Sequence, residues 1–336
     1  MTSGQGTIRT TFAALALMFA VSFVPPVHAQ QPPSGANPTA SSVNEDQLFK
    51  QAPEISGRIS IPDDKAKVLI QPQGRDYRGF REGALPWIGG VAVLGMLLAL
   101  AAFYFTRGRI MLEEGEKSGV RIQRFNAFER FTHWMTATCF IVLAISGLNY
   151  IFGKRLLMPL IGPNAFASWS QWAKYAHNFL SWPFMLGVLL MLAVWLKDNL
   201  PDHYDLAWLK RAGGLRGGGH PPAGRFNAGQ KLMFWSVVLG GLALSATGIM
   251  MLFPFSLLDI SGMQWTQYIH ATIGVLLIAV MLAHIYIGSI GMEGAFDAME
   301  SGEVDLAWVK ANHAGWLDDK QAKAARAAQI SGSAAE

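Results

Sequence analysis

Residues 268–290 read YIHATIGVLLIAVMLAHIYIGSI, 23 residues without one charged side chain. At 1.5 Å of helical rise per residue such a run crosses the roughly 30 Å hydrocarbon core of a bilayer. Two histidines interrupt it, His270 and His284, 14 residues apart. At about 100° per residue they differ by roughly 1400°, some 40° short of four full turns. Both rings therefore leave one face of one helix, about 21 Å apart along its axis. An imidazole is expensive to bury in lipid, so an intramembrane histidine is a functional-site hypothesis by default. Two ligands on one face, near opposite ends of a span, point to two stacked haems.

Four further runs, 86–105, 131–152, 176–196 and 232–253, have the length and apolarity of membrane spans. They are assigned as helices, because isolated strands cannot satisfy their backbone groups in lipid. Pro183 falls inside the third. The composition agrees: 51% of residues are apolar and only 15% charged, against about a quarter charged in soluble domains. Eleven tryptophans and twenty phenylalanines fit aromatic belts at the membrane interfaces. The net charge of +4 is spread over separate loops, which argues against a nucleic-acid surface. Cys139 is the one cysteine, and the chain has no C-x-x-C-H motif. An intrachain disulfide, covalent haem attachment and four-cysteine iron–sulfur ligation are all excluded.

Ahead of the spans, residues 1–29 read as a secretory signal, with Arg9, an apolar core over 12–24 and a small-residue site at Val27-His28-Ala29. Residues 30–85, rich in Pro, Gln, Ser and Gly at their start, are expected to form a largely disordered periplasmic linker. The expected organisation then runs through an extra transmembrane helix at 86–106, a four-helix core at 124–291 and a cytoplasmic tail at 292–336. Loops 107–130 and 197–231 carry six Lys and Arg each, 153–175 carries three, and 254–267 carries none. The positive-inside rule puts the two basic loops and the tail in the cytoplasm, and the mature N-terminus in the periplasm.

On this topology the histidines sort by depth. His133 and His284 fall towards the cytoplasmic side, His177 and His270 towards the periplasmic side. A low-spin b-type haem takes two axial imidazoles, so the pairs His133–His284 and His177–His270 are the expected ligands of two haems b. For any single histidine the plain alternative is an interhelical hydrogen bond; four falling into two depth-matched pairs favours iron. Copper or zinc is the weaker option, because no thiolate or carboxylate lies at matching depth. Met250, Met251 and Met281 are read as packing residues. Gly147, Gly240, Gly241 and Gly274 would let a flat macrocycle or a neighbouring helix approach. Arg130 and Lys174, three residues before His133 and His177, are cationic candidates for haem propionates. At the edge of the fourth span, Asn227, Gly229 and Gln230 offer amide donors and exposed backbone to a quinone, or an ordinary helix entry capped by Asn227.

Several segments resemble one known family, the cytochrome b556 (gamma) subunits of respiratory, membrane-bound formate dehydrogenases. They are Glu129-Arg130-Phe131-Thr132-His133-Trp134, Lys174-Tyr175-Ala176-His177, Arg225 to Lys231 with Phe234-Trp235-Ser236, and Ile269-His270-Ala271 through His284-Ile285-Tyr286. The likeness covers about Arg124 to Trp316 and stops short of the N-terminal third. Histidine placement alone is shared with hydrogenase and thiosulfate reductase cytochromes b. The resemblance implies two haems b on a four-helix bundle of the bacterial inner membrane. It implies electron entry from an iron–sulfur beta subunit, formate oxidation on a molybdopterin alpha subunit, and delivery to menaquinone or ubiquinone near Asn227, Gly229, Gln230 and His284. A hydrogenase-type cytochrome b is the nearest alternative, and a non-redox anchor with structural histidines the more distant one.

Overall fold

The computed structural model describes residues 72–112, 117–214 and 221–321. The chain divides into two units, Met1–Ile70 and Gln71–Glu336, and all described residues belong to the second. The expected signal, the linker up to residue 71, His28, His220 and the tail beyond residue 321 lie outside the described residues.

Among the described residues five helices are long and apolar enough to cross a membrane: Gly74–Arg107, Ala127–Leu156, Pro163–Trp195, Ala228–Leu252 and Ile260–Gly291. The protein is an all-helical, multi-pass membrane protein. A short helix α1 (Pro72–Gly79) runs through a π turn (Phe80–Ala84) into α2 (Leu85–Arg107). Strand β1 (Arg121–Gln123) leads to α3 (Ala127–Leu148), followed by α4 (Pro163–Trp195), α5 (Ala228–Leu252) and α6 (Ile260–Tyr286). Strand β2 (Glu303–Asp305) and α7 (Leu306–Asn312) follow, and residues 314–321, also helical, end the described chain.

Helix α3 packs on α4, α4 on α5, α5 on α6, and α6 touches α3, so these four form a closed bundle with α2 against the outside of α6. Small residues sit at the crossings. A Cβ on Gly187 of α4 would collide with Thr136 Oγ1 of α3, and one on Gly241 of α5 would lie 2.8 Å from Val188 Cγ2 of α4. Gly89 lets α2 approach α6, its would-be Cβ lying 3.3 Å from Val275 Cγ1. The far side of α2 exposes Trp87, Leu98 and Phe105, the composition of a lipid-facing surface.

Three boundaries differ from the sequence reading. Residues 72–85 are not linker but helix. Tyr77 meets Tyr150 hydroxyl to hydroxyl at 2.9 Å and packs edge-on against Tyr268 at 5.4 Å, while Arg81 lies over the Tyr150 ring. These partners lie far off in the chain, so no local pattern announces the helix. The third span begins at Pro163 rather than at residue 176, because its first three turns are aromatic and polar rather than aliphatic. The segment after residue 292 is folded through residue 321 rather than a loose tail. There β2 pairs antiparallel with β1, Arg121 opposite Asp305 and Gln123 opposite Glu303. Val304, Trp308 and Val309 are buried with Phe125, Trp195 and Phe234. This cap closes the end of the bundle where α3 begins and α6 finishes, called the basic end below.

Candidate haem sites

Each end of the bundle holds one histidine pair. At the basic end His133, near the start of α3, faces His284, near the end of α6, with ring centroids 6.0 Å apart and planes inclined by 60°. At the other end His177 of α4 faces His270 of α6 at 6.1 Å and 57°. Helix α6 thus supplies one member of each pair. Two imidazoles on opposite sides of one iron, each about 2 Å from it, have ring centroids roughly 6 Å apart. Plain aromatic contacts span the same range, so ring-nitrogen bonding has to decide between them.

At the second pair both rings have a hydroxyl partner. Ser146 Oγ lies 2.7 Å from His177 Nδ1 and also bonds the carbonyls of Val142 and Leu143 at 2.9 and 3.0 Å. Thr247 Oγ1 lies 2.9 Å from His270 Nδ1 and 2.7 Å from the Ala243 carbonyl. A carbonyl only accepts, so a hydroxyl that donates to its own helix backbone leaves its oxygen free to accept from the ring. In that arrangement both Nδ1 atoms donate N–H, and both Nε2 atoms carry the free lone pair that a metal takes. A ligating histidine usually donates its outer N–H to a carboxylate, backbone carbonyl or water, and a hydroxyl oxygen can take the same place.

The basic-end pair lacks this support. His133 Nδ1 is buried without a hydrogen-bond partner, and the His284 ring makes no hydrogen bond among the described residues. A bare transition-metal ion asks for three or four protein ligands. Among the described residues no three His, Cys, Asp or Glu converge to hold one. Haem brings four nitrogens of its own and needs only a pair, so the residues present fit haem. Space agrees: a Cβ on Gly147 would meet nothing within 4 Å, and one on Gly274 would touch only Leu244 Cδ2 at 3.9 Å. Gly241, by contrast, is spent on helix packing. Arg130 donates to the Phe125 carbonyl at 3.2 Å and Lys174 is exposed.

Asn227, Gly229 and Gln230 form the first turn of α5 at the basic end. Asn227 Oδ1 accepts from the Gln230 backbone N–H at 2.9 Å and Gln230 Oε1 accepts from the Asn227 N–H at 3.1 Å, a reciprocal capping box. A Cβ on Gly229 would lie 2.7 Å from Trp208. Capping uses both side-chain oxygens and leaves both NH₂ groups, and no hydrogen bond joins these residues to His284 among the described residues.

Charged groups around this turn fix the loop to the bundle. Arg225 bonds Glu129 at 2.6 Å and Asp198 at 2.7 Å. Buried Lys231 bonds Asp202 at 2.8 Å and Asp205 at 3.0 Å. Arg124, fully enclosed against Trp308 and Trp316, has its pKa pushed down to about 9 by burial and then by neighbouring Arg225. His313 donates Nδ1–H to the Gly224 carbonyl at 2.8 Å. Burial, then the charge of Arg124, hold His313 well below the usual histidine range. Sequence reasoning missed Ser146 and Thr247, whose only signal was a hydroxyl inside an apolar run.

Comparison with known proteins agrees with this geometry. Residues 124–302 match the family model described as prokaryotic cytochrome b561. The chain is 29% identical over 201 residues to the nitrate-inducible formate dehydrogenase cytochrome b556(Fdn) subunit of Escherichia coli K12, covering 58% of this chain and 89% of that protein. It is 30% identical over 199 residues to the formate dehydrogenase cytochrome b556(fdo) subunit of the same strain, covering 58% and 91%. Against the formate dehydrogenase cytochrome b556 subunit of Haemophilus influenzae the figures are 26% over 206 residues, 60% and 84%. The match spans the four-helix bundle, three of whose helices carry the histidine pairs, and omits α1 and α2, and on that footing the chain belongs to the prokaryotic cytochrome b561 family.

Proposed function

We propose that this chain is the dihaem cytochrome b subunit of a formate dehydrogenase complex, passing electrons from a periplasmic iron–sulfur subunit to quinone at the cytoplasmic side of the inner membrane. The observation that carries the reading is the double pairing of His133 with His284 and His177 with His270, at 6.0 and 6.1 Å. The names of the relatives support the formate dehydrogenase context; the iron–sulfur beta and molybdopterin alpha partners are part of the proposal and rest on the family resemblance. The concentration of Lys and Arg at the basic end supports placing that end, and the C-terminus, in the cytoplasm.

Bound haem b supplies one-electron Fe(III)/Fe(II) chemistry. The chain's own residues do the rest. His177 and His270 present Nε2 with the tautomer fixed by Ser146 and Thr247; His133 and His284 do the same work at the basic end without such partners. The apolar spans exclude water from both sites. At the first turn of α5, the NH₂ groups of Asn227 and Gln230 are the proposed donors to the quinone carbonyls, and Gly229 lets Trp208 pack close against that turn. Reducing one quinone to quinol takes two electrons and two protons, and the basic end opens these protons to the cytoplasm.

The test is an anaerobic visible spectrum of membranes holding the complex, before and after adding formate. Reduction of haem b by formate, reversed by added quinone, is expected. Reduction by hydrogen with indifference to formate would assign the chain to a hydrogenase instead. Membranes with no haem b dependent on this chain would refute the redox reading.

A further inference from the structure

The two ends of the bundle treat their histidines differently. At one end each ring's Nδ1 lies within hydrogen-bond distance of a hydroxyl on the neighbouring helix, His177 of α4 2.7 Å from Ser146 Oγ of α3 and His270 of α6 2.9 Å from Thr247 Oγ1 of α5. Each of those hydroxyls is oriented by a second bond to its own helix backbone. At the basic end His133 Nδ1 is buried with no partner. Thr132 beside it leaves its own buried hydroxyl oxygen without one as well.

Donation from Nδ1–H shifts electron density towards Nε2 and makes the imidazole a stronger base and a stronger donor to iron. A stronger axial donor stabilises the more positive ferric state and lowers the reduction potential. We propose that Ser146 and Thr247 are tuning residues that hold the His177–His270 site at a lower reduction potential than the His133–His284 site. Transfer from the periplasmic to the cytoplasmic site is then downhill in intrinsic potential. This inference rests on the haem-ligating reading of both pairs.

The experiment is a potentiometric titration of the haem b absorbance in the purified complex. Wild type and the variants Ser146→Ala, Thr247→Val, the double variant and Ser146→Thr are compared. The wild type is expected to titrate as two components, and His270→Ala to lose the lower one. The double variant is expected to raise the lower midpoint by at least threefold in the reduction equilibrium, about 28 mV at 59 mV per tenfold for one electron. Its upper midpoint should stay in place, and Ser146→Thr should titrate like wild type. Two intact haems with unchanged midpoints in the double variant would overturn the proposal, as would loss of the upper component in His270→Ala. Should the double variant fail to retain haem, the single variants Ser146→Ala and Thr247→Val decide, each expected to raise the lower midpoint, and unchanged midpoints in both would overturn the proposal. Fewer than two haems b per wild-type chain would instead refute the ligand reading itself.

Discussion

Replacing Glu129 by alanine should loosen the basic end of the bundle while leaving the other end intact. Glu129 sits one turn before His133, and its side chain is only 6% exposed. Its Oε1 accepts from Arg225 at 2.6 Å and from Trp195 Nε1 at 2.8 Å, and its Oε2 accepts from the Asn126 N–H at 2.9 Å. Breaking a buried ion pair by removing one partner costs about 3–5 kcal/mol. Arg225 retains Asp198 at 2.7 Å and is 21% exposed, which puts the expected loss near the lower limit, about 3 kcal/mol or roughly 150-fold in equilibrium. Glu129→Gln keeps the shape and an acceptor for Trp195 but drops the charge, so about 1–1.5 kcal/mol is expected. The assay is thermal loss of haem absorbance from the detergent-solubilised complex, with haem counted per chain before heating. Glu129→Ala should melt earlier and lose the His133–His284 haem first, with Glu129→Gln between it and wild type. An alanine variant that melts like wild type with both haems in place would refute this account of the clamp.

Three further outcomes follow from the geometry. His270→Ala should leave one haem b per chain and abolish formate-driven reduction of the one that remains, read from haem stoichiometry and the anaerobic spectrum. Gly187→Leu forces a side chain into Thr136, and overpacking of this kind costs about 1–3 kcal/mol, visible as an earlier melt. His313 has a depressed pKa in the fold, so the unfolded cap takes up a proton that the folded cap refuses. Its stability contribution is full above about pH 6.5 and falls on acidification by about 1.4 kcal/mol per pH unit. Limited proteolysis after residue 292 should accelerate below pH 6.5 in wild type and lose that dependence in His313→Gln.

The five spans and four histidines were legible because lipid makes both conspicuous: an uninterrupted apolar run has few other uses, and a ring nitrogen inside it demands a partner. Depth pairing followed from topology alone, and the structure brings those pairs to 6.0 and 6.1 Å. Asn227 was legible in part, since its capping role follows from Gln230 three residues on. Ser146 and Thr247 were not legible, because a lone hydroxyl in a span reads the same whether it bonds its own carbonyl or a neighbour's imidazole. Helix α1 was hidden because Tyr150 and Tyr268, which hold Tyr77, enter only through tertiary contact. The folded cap was hidden because β1 and β2 are three residues each and pair across most of the chain.

That α6 carries one histidine of each pair makes it a ruler. The 14 residues from His270 to His284 span about 21 Å when the helix stands near the membrane normal, roughly 0.7 of a 30 Å hydrocarbon core. With the basic end facing the cytoplasm, one electron passing from the first pair to the second climbs against that fraction of the transmembrane voltage. At about 2.3 kcal/mol per charge per 100 mV the climb is worth about 1.6 kcal/mol. In the proposed electron path, the spacing of two residues on one helix sets the share of the membrane voltage that the electron crosses between the two sites.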